Sequence, residues 1–210
     1  MVWYIRAFWA CLFLLPVSAH TEPQLSVLPD LSIVEVSAEV IVELQVAGLN
    51  GSKVGAYDFN LSWNPAILGL NNVTPGNELD GPALSFQATN ETAAGTLNLA
   101  EFSFDTLSGQ VEPVVLATLT FTAFSAGEGA LGVSGNIAPD AGFLGNASGA
   151  PLPVTVTVTS VVVNGAPVAN AQSVTTDEDV ATTIILTGSD VNGDALDFTL
   201  ESQPLVGTLG

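Results

Sequence analysis

The chain has 210 residues, enough for one ordinary domain and part of a second. Lys and Arg total 2 against 21 Asp and Glu, a formal net charge of −19. Such a surface repels phosphate backbones and anionic headgroups, which excludes nucleic-acid binding and membrane-surface binding through basic patches. His20, Cys11 and Met1 are each the sole residue of their kind. Past them there is no imidazole or thiol for triad catalysis, or for zinc, copper or iron. Oxygen chemistry remains: hard calcium, protein or carbohydrate partners, and a two-carboxylate glycosidase as the one enzyme route. Scattered carboxylates with no sign of a cleft argue against that route, so no enzyme is expected.

Residues 1–19 have the order of a secretory signal peptide. Arg6 supplies the positive charge, Ala7 to Val17 the apolar stretch, and Val17, Ser18 and Ala19 the small residues of a cleavage site. The apolar run is shorter than the ~20 residues of a spanning helix, and Pro16 breaks it. The expected location is secreted, extracellular or cell-surface.

From Gln24 the chain alternates with period two, the pattern of half-buried strands. Val40, Val42, Leu44 and Val46 share one face. Tyr57, Phe59, Leu61 and Trp63 form a second, with Asp58, Asn60, Ser62 and Asn64 opposite. Ala117, Leu119, Phe121 and Ala123 alternate with threonines, as do Val154, Val156 and Val158. Turn clusters at Asn64–Pro65, Pro75–Gly76 and Gly127–Gly129 punctuate these runs. About nine strands over residues 24–163 predict an all-β chain built on a nine-stranded jelly-roll β-sandwich. A joint follows at 164–168, where Pro167 imposes extended backbone on Ala166. Residues 166–210 carry strand-like runs at Ser173–Thr176, Val180–Thr187 and Ala195–Leu200. They are too few for a free-standing sandwich, so a partial repeat is expected.

The stretch from Gly55 to Pro65, with Tyr57, Asp58, Phe59 and Trp63, is followed by Leu68 and by Thr74, Pro75 and Gly76. Together with Leu99 to Phe102 and Val115 to Phe121, it resembles the cohesin domain, the module of cellulosome scaffolds that captures dockerin domains. Asn64 stands where the family usually has Asp before Pro. The resemblance covers residues 24–163 and implies a cohesin-like sandwich with a dockerin-type protein partner, in extracellular polysaccharide degradation. It also implies that Asp58 and Glu101 lie on the sheet face that receives the dockerin, with Asn60 beside Asp58. The alternative for Asp58 is a solvated strand face. Two other readings of the whole chain stand: a direct carbohydrate-binding module that takes polysaccharide, and a structural segment of a calcium-stabilised adhesin.

Residues 166–210 resemble the start of a bacterial cadherin-like or Ig-like tandem repeat, on Ala166 to Asn170, Thr176 to Asp179 and Leu186 to Asp194. Asp177, Asp179, Asp190, Asn192 and Asp194 are the calcium candidates there, because alternating oxygen ligands around a glycine suit a hard cation. A metal-free Asp-Asn-Gly turn at 190–194 is the competing reading.

Overall fold

The computed structural model describes residues 22–76, 79, 85–103, 110–135, 144–146 and 152–202. The signal peptide expected at 1–19 lies outside the described residues. Up to Asn164 the described residues hold thirteen strands rather than nine: β1 (Gln24–Pro29), β2 (Ile33–Glu35), β3 (Glu39–Ala47), β4 (Val54–Trp63), β5 (Leu68–Pro75), β6 (Ser85–Ala93), β7 (Thr96–Ser103), β8 (Val114–Ala123), β9 (Gly127–Gly129), β10 (Leu131–Gly135), β11 (Leu144–Asn146), β12 (Thr155–Val158) and β13 (Val161–Asn164). Several of the additional strands have three to five residues, too short for periodicity to reveal.

One sheet runs β12-β1-β3-β8-β5. The other runs β10-β4-β7-β6, with β11 also on β4. A small sheet, β2-β13-β9, completes the domain. Period-two alternation makes this architecture, because each sheet turns one face to the other. Val40, Val42, Leu44 and Val46 of β3 meet Tyr57, Phe59, Leu61 and Trp63 of β4 in one buried cluster with Leu119 and Phe121 of β8. Trp63 and Phe121 touch edge to face across it, with ring centroids 5.4 Å apart. Each such large side chain removed from water contributes about 1.5–3 kcal/mol.

The valine run around β12 follows its pattern in part, with Val154 and Val158 packed half-buried against the core. Among the described residues β12 is an edge strand, parallel to β1 and paired with no second neighbour in the sheet order. Val156 is 41% exposed there. Val161 and Val163 of β13 are the buried valines of that region.

A bulge interrupts β8. Leu44 pairs with Ala117 but Gln45 with Val115, so Leu116 is skipped. The extra residue lets Leu116 and Ala117 both face the core. The Leu116 carbonyl accepts from Gly76 N–H at 2.8 Å and keeps a lone pair for the interior.

At the start of β4, the Gln110 carboxamide accepts from Val54 N–H at 2.8 Å and donates to Val54 C=O at 2.9 Å. It stands in for a strand neighbour. Lys53, the only lysine of the chain, is half-buried beside it.

Beyond Asn164 only two strands of two residues form among the described residues, β14 (Val168–Ala169) and β15 (Gly188–Ser189), paired antiparallel. The three longer strands expected at 173–176, 180–187 and 195–200 are not formed. A strand needs a ladder partner, and here Gln172 Nε2 bonds Ile185 O from a side chain instead. Ile185 is 74% exposed.

Candidate functional site

The parity of β4 that buries Tyr57, Phe59, Leu61 and Trp63 turns Ala56, Asp58, Asn60 and Ser62 to the outer face of the sheet. Register fixes their neighbours. Asn60 is opposite Asn98 of β7 on one side and Ser134 of β10 on the other. Asp58 is opposite Ala100, and Ala56 opposite Phe102.

Asn98 ties the face together. Its Nδ2 donates to Asp58 Oδ1 at 2.9 Å and lies 3.2 Å from Asn60 Oδ1 and 3.3 Å from Phe59 O. All three polar side chains are half-buried in this flat surface. Around them stand small residues, Ala56, Ala100 and Gly132, and at one end Phe102, which is 42% exposed. The arrangement offers carboxylate and amide oxygens on a surface that another backbone can approach closely. It suits a partner bringing hydroxyl, amide or cationic donors beside an apolar side chain.

Glu101 does not belong to this face, and the expectation that placed it there is corrected. Tyr57 and Glu101 are direct cross-strand partners, so an inward Tyr57 carries Glu101 inward with it. Glu101 is 2% exposed. The Tyr57 hydroxyl lies 2.9 Å from Glu101 Oε2 and 3.1 Å from Leu116 O, the carbonyl freed by the bulge. Burial, then the negative charge of Glu101, then this hydrogen bond hold the phenol well above its ordinary range. The result is a polar bridge through the sandwich from β7 through β4 to β8.

Asn98 was missed in the sequence. The signal for it was the alternation of Leu97 and Leu99, which sets Asn98 outward and Glu101 inward.

The C-terminal candidates do not gather into one group. Asp177 and Asp179 are exposed in a turn, with Val180 N–H on Asp177 O at 3.2 Å. Asp190 Oδ1 accepts from Asn192 N–H at 2.7 Å and lies 3.3 Å from Asp194 N. Asp190 Oδ2 is buried with no hydrogen-bond partner among the described residues. Asn192 Oδ1 accepts from Gly165 N–H at 2.9 Å and its Nδ2 donates to Val163 O at 3.1 Å. Among the described residues no three His, Cys, Asp or Glu side chains converge as a metal ion requires.

Comparison with known proteins places the sandwich. The family model described as "Cohesin domain" matches residues 28–163. The fold is similar to a type II cohesin domain from the cellulosome of Acetivibrio cellulolyticus, with a TM-score of 0.55 and 15% identity over 67% of this chain and 95% of that one. It is similar to the sixth cohesin of scaffoldin B from the same organism, in complex with a dockerin, with a TM-score of 0.55 and 20% identity over 68% and 99%. A third similar structure is the type II cohesin–X-dockerin complex of that organism, with a TM-score of 0.54 and 14% identity over 67% and 98%. No curated protein matches the chain. With the family model covering most of the sandwich strands, the chain belongs to the cohesin domain family.

Proposed function

We propose that the outer face of the β10-β4-β7-β6 sheet captures a dockerin-bearing protein, outside the cell and in the service of polysaccharide breakdown. The observation that carries the reading is the Asp58–Asn98–Asn60 cluster, set in a flat surface of small residues on a cohesin domain. Two of the similar structures are themselves complexes with dockerins, which supports the choice of partner. The module works by binding alone. Export through the leader at 1–19 belongs to the same proposal.

The test is a titration of the chain with dockerins, alongside thermal melts. Asp58→Ala and Asn98→Ala remove a member of a hydrogen-bonded polar group that the partner desolvates. Each weakens capture by about 2–5 kcal/mol, chiefly through the off-rate. Glu101→Gln leaves the partner contacts in place and shows its effect in the melt. Unchanged affinity in both Asp58→Ala and Asn98→Ala, with intact melting, moves the interface to another surface. A glycan array that binds the chain without any protein partner favours direct sugar recognition, to which buried Trp63 and Tyr57 lend no platform.

For residues 166–202 we propose the opening of a cadherin-like or Ig-like repeat. The β14–β15 ribbon supports it, extended by Asn170 N–H on Thr187 O at 2.9 Å.

A further inference from the structure

Val162 N–H donates to Ser32 O on the β2 side of β13 at 2.8 Å. The backbone groups of Val161, Val163 and Gly165 therefore face the opposite, β9 side. There β9 ends at Gly127, which is paired with Val163. Gly165 N–H lies one step past the end of that ladder. Asn192 takes it up: Oδ1 accepts from Gly165 N–H at 2.9 Å, while Nδ2 donates to Val163 O at 3.1 Å. A side-chain amide thus continues the ladder as one more peptide group, from 27 residues further along the chain.

Two further features fix this contact. The turn that presents Asn192 is set in advance, by Asp190 Oδ1 on Asn192 N–H at 2.7 Å and by Gly193 at φ +80°. The seat is closed as well. Gly165 is buried, and a Cβ there would lie 2.7 Å from both Ala126 Cβ and Val191 Cγ1. Val191 and Ala126 thus close on the glycine backbone from the two sides of the joint.

We propose that Asn192 is a positioning residue that locks residues 166–202 onto the sandwich, so that 164–168 is a rigid seam rather than a hinge. A two-point amide contact, a preset turn and a glycine with no room for a side chain are what a fixed orientation requires. A flexible linker needs none of them. The consequence for the molecule is that whatever the C-terminal segment carries is held at a fixed angle to the binding face.

Amide hydrogen exchange and nitrogen relaxation on the full chain test this without any partner, so the outcome is independent of the dockerin reading. In the native sequence Gly165 N–H is protected and residues 170–200 tumble with the sandwich. Asn192→Ala speeds Gly165 exchange by about tenfold, the equivalent of one hydrogen bond's net worth, and loosens residues 170–200 while sandwich amides are unchanged. Asn192→Asp keeps the acceptor, loses the donor and falls between the two. Asn170→Ala, within the ribbon, leaves Gly165 protected. Free exchange at Gly165 in the native chain overturns the proposal, as does an Asn192→Ala variant with native exchange and common tumbling.

Discussion

Tyr57 and Glu101 form a polar pair inside an apolar sandwich, and each is costly to bury without the other. Tyr57→Phe keeps the ring and its packing near Phe59 but strips the carboxylate of a donor. It should destabilise by about 1–3 kcal/mol, read from the denaturation midpoint at unchanged slope. The pair also makes a pH signature. The phenol titrates near pH 10 in the unfolded chain and well above that in the folded one, so above pH ~10 the unfolded state releases a proton the folded state keeps. The Tyr57 contribution is therefore whole below pH ~10 and declines as the pH climbs toward the raised folded value. Alkaline melts of the native chain should show a decline in excess of that in Tyr57→Phe; matching curves would refute the contribution. The sequence already held half of this. Tyr57 reads as inward by alternation; Glu101 shares the phase of Leu99 two places before it, although the resemblance to cohesins put it on the outer face. A carboxylate in core phase runs against burial preference, and only the cross-strand register and the bulge at Leu116 show how it is accommodated.

Strands of eight to ten residues are legible because alternation accumulates over several turns of the pleat, as in β3, β4 and β8. β9, at three residues, shows no period at all, yet it sets where the β13 ladder ends. The Val-Thr run of β12 shows the opposite failure: the pattern is real, but an edge position leaves Val156 in water. Turn geometry adds a demand that composition does not grade. Gly95 and Gly51 both have positive φ, +76° and +86°. A Cβ on Gly51 meets nothing within 4 Å, whereas on Gly95 it falls 2.6 Å from Trp63 O and 2.8 Å from Pro65 Cδ. Gly51→Ala should cost only the backbone term, about 1–2 kcal/mol. Gly95→Ala should cost clearly more, because the β6–β7 turn must also move off β4. Parallel denaturant titrations check the order, and equal losses would mean that the turn yields freely.

At the scale of the whole molecule, a net charge of −19 keeps copies apart and favours partners that carry positive charge. It was legible from composition alone, as was the sandwich from its alternation. The seam at Gly165 was not, because nothing near Asn164 in sequence announces that Asn192 will seat against it. The same scarcity of bases has a consequence for survival. A protease that cuts after Lys or Arg finds Arg6 and then a single bond, Lys53–Val54. That bond is anchored: both the N–H and the C=O of Val54 are held by the Gln110 carboxamide, and Lys53 is half-buried. Cleavage therefore has to wait for the start of β4 to open. Native chain incubated with trypsin should remain one piece from residue 22 onward, and unfolded chain should break there once, into two. Gln110→Ala should bring the native chain toward the second behaviour. With one basic residue beyond Arg6, the chain offers an enzyme of that specificity a single foothold, and folding ties that foothold down.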